Sequence, residues 1–329
     1  MSTLLEALPR RVAEAARRLA PYVLRTPVSR CPWLERADVV LKCEHLQHTG
    51  SFKLRGALNR LLTLNERAQT RGIITASTGN HALGIAFAAG VAGVRATIYV
   101  PNVISPLKLK ALSAVLADGA VALEFVEGDG LDAELAAKTA AAASGMKFVS
   151  PYNDAMIIAG QGTVGAELAE QCSALDAVFV SVGGGGLISG VAASVKAKFP
   201  QARVYGCWAR NAPAMHDCLE AGEIRQVPES PTISDGTAGG IEPGSITFEL
   251  CQSLIDQHVL VSEAEIFSAM RALAENERWI VEGSAGVALA GCLQILQRSR
   301  EFDGKTVAVI LCGRNVELDK FLAAITTAH

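Results

Sequence analysis

The feature that most constrains this chain is an alternation. Short runs rich in β-branched residues are followed repeatedly by longer runs with helical spacing. The β runs are VVLKC (39–43), GIITA (72–76), RATIYV (95–100), AVALEF (120–125), AVFVSV (177–182), RVYGCW (203–208) and TVAVILC (306–312). Helical spacing marks residues 10–20, 53–64, 80–90, 106–117, 131–144, 160–172, 187–198, 262–277, 284–298 and 316–326. Such an order calls for open, mostly parallel twisted sheets flanked by helices on both faces. A length of 329 residues suits two α/β units with a crevice between them.

Three of the strands run directly into loops of small or polar residues. These are STGN (77–80), GGGG (183–186) and CGRN (312–315). Ligands of open parallel sheets bind beyond the carboxyl ends of the strands, so three such loops point to one composite site.

Composition removes several alternatives. Half of the residues are hydrophobic and 19% are charged, enough for a large core. A net charge of −3 gives no footprint for nucleic acid or an anionic membrane. The eight cysteines form no C-x-x-C pair and several lie in apolar runs. They read as buried free thiols of a cytoplasmic protein, not as zinc ligands or disulfides. The charge-free stretches 72–94 and 177–195 carry central Gly, Ser, Thr or Asn and read as strand–loop–helix units, not membrane spans. The N-terminus has no apolar leader block and reads as an amphipathic helix starting near Pro9. The expected partner is a small molecule.

Gly183, Gly184, Gly185 and Gly186 stand between a strand and a helix. Backbone N–H groups there can close around an oxyanion, aided by the helix dipole. A tight structural turn is the alternative, but four successive glycines are an entropic liability that a turn alone does not require. The ligand is not a dinucleotide. Ile188 or Ser189 falls where G-x-G-x-x-G needs its last glycine, and RVYGCW ends in Trp208 where an acidic residue would hold a ribose. The Walker spacing is absent too, leaving a phosphate ligand of mononucleotide size or less.

In ASTGNHALG, Ser77, Thr78, Asn80 and His81 open a helix and can bind a carboxylate. Capping by Ser77 or Thr78 is the alternative for one of them, and packing is an equal reading of His81. In HTGSFKLRGALNRLL, Ser51 can cap a helix whose first turn holds Lys53 and Arg55. The helix dipole disfavours positive charge there. A solvated lysine is the plain reading of Lys53. An amine that prefers neutrality is also a nucleophile toward aldehydes. A small cofactor that joins a phosphate to an aldehyde is pyridoxal 5′-phosphate.

SFKLRGA, STGNHALG, GQGTVGAELAE, SVGGGGLISG and EGSAGVALAG together resemble, in order and spacing, the fold-type II pyridoxal-phosphate enzymes. The nearest branch is the threonine/serine dehydratases and serine racemase, and the match runs from about Arg25 to Asn315. The resemblance implies a tryptophan synthase β-like fold with the active site in the inter-domain crevice. Residues 1–70 and 151–329 would form a large cofactor-binding domain and 71–150 a small mobile one. It implies that Lys53 carries the cofactor and then removes the Cα proton. Phe52 would lie against the pyridine ring and Asn80 would bond its hydroxyl. Gly183 to Gly186 would take the phosphate. Ser77, Thr78, Asn80 and His81 would take the substrate carboxylate, and Cys312 would face the pyridine nitrogen. A neutral thiol there makes a weaker electron sink than a carboxylate would, which suits β-elimination; a plain buried thiol is compatible with that role. The implied reaction converts a hydroxy amino acid to a 2-oxo acid and ammonia, in a homodimer.

Departures from the pattern qualify this reading. Trp208 and Ala214 replace the acidic residues of a divalent-cation site, so no metal is expected. Thr78 stands where serine racemase has its reprotonating serine, so racemisation is an alternative activity. Arg314 and IVEGSAG also resemble hydroxyectoine-utilisation dehydratases, whose substrate would be a hydroxylated diaminobutyrate derivative. Glu282 either faces the site or caps a helix start. With the chain ending at His329, no regulatory domain is expected. A non-catalytic binding protein is the remaining alternative, which the intact lysine disfavours.

Overall fold

The computed structural model describes residues 3–114 and 119–327. Its strands are β1 (Val28–Arg30), β2 (Asp38–Lys42), β3 (Ile73–Ala76), β4 (Ala96–Pro101), β5 (Val121–Val126), β6 (Lys147–Phe148), β7 (Ala177–Ser181), β8 (Arg203–Ala209), β9 (Gln257–Val261) and β10 (Thr306–Ile310). They form a six-stranded sheet of order β1-β2-β10-β7-β8-β9 and a four-stranded sheet of order β5-β4-β3-β6. Only β1 and β2 pair antiparallel. Every residue of β7 is buried, which explains its unbroken apolar run.

The helices are α1 (Thr3–Leu19), α2 (Lys53–Leu62), α3 (Glu66–Arg71), α4 (Asn80–Ala92), α5 (Pro106–Ala114), α6 (Gly130–Ser144), α7 (Ala155–Gln171), α8 (Gly186–Lys198), α9 (Ala214–Ala221), α10 (Ile246–Leu254), α11 (Glu263–Asn276), α12 (Gly283–Arg298) and α13 (Leu318–Thr327). One core surrounds the larger sheet. Two more cover the faces of the smaller sheet: Ile73 enters one and Ile74 the other, as the strand period of two requires. The smaller sheet lies within residues 71–150, but its core does not. Leu54, Leu58 and Leu61 of α2 pack into it, as does Leu19 of α1.

Several elements differ from the sequence reading. The first helix begins at Thr3, with Pro9 inside it. Proline there forgoes one backbone bond, but Leu8, Val12, Ala15 and Leu19 give the helix a continuous buried stripe that outweighs the loss. Helix α7 starts at Ala155 and not 160, because the Asp154 side chain accepts from the N–H groups of Met156 and Ile157. The expected helix 106–117 is described to Ala114, and its last three residues lie outside the described residues. The short elements β1, β6, β9, α3, α9 and α10 were not anticipated. Ser51 does not cap α2: the cap position is Phe52, with no side-chain bond, and the Ser51 hydroxyl is buried without a partner.

Arg55 explains how a cation fits inside this start. Its side chain is fully buried. Nε and Nη2 donate to Glu44 at 2.7 and 2.8 Å, and Nη1 donates to Glu167 at 2.6 Å. The Thr163 hydroxyl and the Leu24 carbonyl accept further bonds. Lys42, also fully buried, donates to the other oxygen of Glu167 at 2.6 Å. The network ties α2 to α7 and to the end of β2. Removing one member leaves charges buried and unpaired, which costs about 3–5 kcal/mol. Arg55→Met is therefore expected to lower the denaturation midpoint markedly. An unchanged midpoint would show that the network does not hold α2 in place.

Candidate active site

The three loops do converge. Phe52 N–H donates to the Cys312 carbonyl at 3.0 Å, Ser51 bridges to Gly313, and Arg314 N–H donates to the Gly50 carbonyl at 2.9 Å. These contacts seat Lys53, the first residue of α2, beside the end of β10. Its Nζ donates to the Pro151 carbonyl at 3.1 Å and lies 5.4 Å from the centre of the Phe52 ring. Burial lowers the Lys53 ammonium to about 8, against the opposing pull of Cys312 and Glu282. The preference for a neutral amine inferred from the helix dipole is present, but burial is its main cause.

Glu282 faces this amine. It occupies the N-cap position of α12 but makes no side-chain cap bond, so the capping alternative fails. Asn80 Nδ2 donates to both its oxygens, at 3.0 and 2.8 Å. The Asn315 N–H donates at 3.2 Å and the Cys312 thiol at 3.6 Å. Burial raises the Glu282 carboxyl to about 7, although the Asn80 bonds pull it down. Asn315 also donates to the Asn80 side-chain oxygen at 2.6 Å. Asn80 of the smaller unit is thus held from both sides by the larger one. A Cβ on Gly313 would lie 2.7 Å from the Glu282 carboxylate, so only glycine fits there.

Cys312 is buried, its thiol pushed well up by desolvation, and it accepts a bond from the Ser181 hydroxyl at 3.6 Å. Ser181 ends β7, and the glycine loop follows. Gly185 has φ of +82° and forms the N-cap of α8 without a side-chain bond. Among the described residues, the N–H groups of Gly183, Gly184 and Gly185 reach no acceptor in the protein. The first-turn N–H groups of α8 have no intrahelical carbonyl either. Side chains are excluded from this cradle: a Cβ on Gly183 would lie 2.9 Å from Thr237, one on Gly185 2.6 Å from Cys251, and one on Gly184 inside the Tyr152 ring.

The loop after β3 divides. Ser77, Thr78 and Asn80 are partly exposed. Neither Ser77 nor Thr78 caps α4, whose cap position is Gly79; the Ser77 hydroxyl accepts from Gly79 N–H at 3.2 Å. The His81 side chain does not join the loop. It is buried, with Nε2 at 3.1 Å from the Thr75 hydroxyl, and burial with the nearby Lys53 charge lowers it to about 3. It packs as a neutral ring, and only its backbone is left for a substrate. Ser181, Asn315, Tyr152 and the Pro151 carbonyl were not singled out in the sequence. A serine ending an otherwise apolar buried strand was the available signal for Ser181; the others had none.

The donor set fits pyridoxal phosphate. The glycine cradle offers unpaired N–H groups to a dianion, and Lys53 offers an amine that is easily neutral. A profile described as pyridoxal-phosphate dependent enzyme matches residues 19–313. The chain belongs to this family of pyridoxal-phosphate-dependent enzymes. It is 38% identical over 316 residues to an L-threonine ammonia-lyase of Thermotoga maritima, covering 94% of this chain and 75% of that one. Its fold matches a processed threonine deaminase isoform 2 of Solanum lycopersicum with a TM-score of 0.93 and 30% identity, over 100% and 89% of the two chains. It matches a serine racemase of Dictyostelium discoideum at 0.85 and 32% identity, over 94% and 98%. Within the family the chain is a fold-type II enzyme of the ammonia-lyase kind.

Two outcomes are expected. Protein loaded with pyridoxal phosphate should keep it through gel filtration and show the visible absorbance of a cofactor joined to an amine; Lys53→Ala should lack that band. Persistence of the band would assign the linkage to another lysine. The second concerns pH. A carboxyl near 7 in the folded cofactor-free protein and near 4.5 when unfolded holds its proton longer in the folded state. Stability therefore falls as pH rises from about 4.5 to 7 and levels off above. Glu282→Gln is expected to remove this slope and to gain on the parent toward pH 7. Melting curves that stay parallel across this range would mean that Glu282 ionises normally.

Proposed function

We propose that this enzyme eliminates water from a β-hydroxy amino acid, L-threonine or L-serine, giving the 2-oxo acid and ammonia. The observation that carries the reading is that a desolvated, easily neutral Lys53 is seated by the Phe52–Cys312 backbone bond beside the neutral thiol of Cys312 and the glycine cradle. Bound pyridoxal phosphate supplies the sink for the electron pair left at Cα. Gly183 to Gly186 would hold its phosphate, Phe52 would lie along its ring, and Cys312 would meet the ring nitrogen without a charge. Asn80, fixed by Glu282 and Asn315, would bond the ring hydroxyl. The Ser77 and Thr78 hydroxyls and the N–H groups at the start of α4 bind the substrate carboxylate. Lys53 Nζ takes the Cα proton. The electron pair from Cα closes a Cα–Cβ double bond as the Cβ–O bond breaks, the hydroxyl leaves as water with the proton that Lys53 removed, and hydrolysis of the released enamine by one water yields the 2-oxo acid and ammonia.

Residues 71–150 act as a small domain that moves against the large one of 1–70 and 151–329, and Asn80 is where the two engage. The homodimer that the resemblance implies and the cytoplasmic location that the cysteines suggest both remain part of this reading. Eight buried free thiols favour a reducing compartment. No helix among the described residues is long and apolar enough to cross a membrane.

A substrate panel on the loaded enzyme tests the proposal by measuring 2-oxo acid and ammonia. L-Threonine and L-serine should each give both products in equal amounts, and Lys53→Ala should lose at least a thousandfold in rate. Faster formation of D-serine than of pyruvate from L-serine would favour the racemase reading. Release from a hydroxylated diaminobutyrate derivative alone would move the substrate to that class.

A further inference from the structure

Outside the crevice, one group of side chains has the chemistry of a ligand set. His216 and Glu220 lie one turn apart on α9, and His258 lies on β9, the edge strand of the larger sheet. One ligating atom from each can be chosen so that all three lie within 4.8 Å of one another. We propose that His216, Glu220 and His258 form a site for a divalent transition ion of the zinc class.

The three side chains already meet, through a hydrogen bond between His258 and Glu220 and the facing rings of His216 and His258, and their spacing suits a shared ion. His258 Nδ1 stands 3.1 Å from Glu220 Oε1. Two donors on one tetrahedral zinc, each roughly 2.0–2.1 Å away, stand about 3.3 Å apart. His216 Nδ1 is held at 2.8 Å by Asp217 Oδ1, which leaves its Nε2 for a metal. A carboxylate on the second ring nitrogen is the usual device that orients a metal-bound imidazole. Glu220 and His258 are open to solvent, so water can complete the shell.

Both imidazoles also share a floor. The Trp208 ring meets His216 at 5.4 Å and His258 at 5.1 Å between centroids, edge to face in each case. The indole can lie there because Gly206 has no Cβ to meet it. Two imidazoles and a carboxylate select for zinc, cobalt, nickel or copper over magnesium or calcium. The site is separate from the cofactor crevice, but α9 touches it. Met215, next to His216, would lie 3.2 Å from a Cβ placed on Gly185 of the phosphate cradle. A bound ion would join α9 to β9 and brace that contact.

The test uses tag-free loaded enzyme, stripped with a chelator and titrated with zinc by calorimetry and with nickel by tryptophan fluorescence. One equivalent of zinc per chain is expected, with a higher melting temperature and nickel quenching of Trp208. His258→Ala and Glu220→Ala should each weaken binding at least tenfold. Trp208→Phe should keep the stoichiometry and lose most of the quench, which assigns the signal to this place. Absence of binding, or one equivalent that survives in His216→Ala/His258→Ala, would overturn the site. His258→Ala and Glu220→Ala change solvent-exposed residues, so both proteins are expected to stay folded, checked by retained cofactor absorbance.

Discussion

Everything at Lys53 depends on a buried guanidinium two residues further on. Arg55 cannot sit at a helix start without compensation, because burial and the helix dipole both oppose its charge. Glu44 and Glu167 supply that compensation from two other elements, in geometry that uses the planar fork of the guanidinium. The satisfied network fixes α2 relative to β2 and α7. Lys53 inherits that position. A charge that looks awkward in the sequence is the anchor of a neighbour that must be able to lose its own.

The crevice works by a single physical effect applied to several groups. Desolvation pushes the Lys53 amine down to about 8, the Glu282 carboxyl up to about 7, and the Cys312 thiol well up. Each shift favours the neutral form. The site therefore keeps its proton-handling groups close to neutrality without a matching salt bridge. Its hydrogen bonds do the orienting, with Asn80 held between Glu282 and Asn315. That arrangement suits a reaction in which the protein must position a dianionic ligand and move one proton, and in which a fixed charge opposite the ring would favour other chemistry.

The layered architecture and the loops that converge on the candidate site were legible because they follow from periodicity and from residue types with few other uses. Four glycines between a strand and a helix have little alternative. What could not be read depended on distant partners. Nothing near Asn315 in the chain says that it will donate to Asn80, and nothing near Arg55 shows the two glutamates that hold it. Capping shows the same limit: Ser51 and Ser77 have the right side chains, but the backbone bond of Phe52 to Cys312 sets the start of α2, and Ser77 bonds Gly79 N–H one step before α4. The short edge strand β9 and the eight-residue helix α9 carry too few residues for a period to show.

Glycines away from the cradle bear on how the enzyme can move. A Cβ on Gly160 of α7 would lie 2.6 Å from the Arg55 carbonyl, and one on Gly162 would lie 2.9 Å from the Gly190 carbonyl of α8. Helices α2, α7 and α8 therefore touch backbone to backbone, leaving no side-chain layer to slide. Close packing of this kind resists shear. The helix that carries Lys53 and the helix that follows the phosphate loop are joined into one rigid layer. The smaller unit packs onto the same layer: Leu54, Leu58 and Leu61 of α2 enter its core, and a Cβ on Gly84 of α4 would lie 3.1 Å from the backbone of Lys53 and Leu54. At Glu282 two effects oppose each other: burial holds the proton on the carboxyl, and the Asn80 bonds favour its loss. Exposure to water and protonation of this carboxyl are therefore thermodynamically linked, with the proton favouring the buried state.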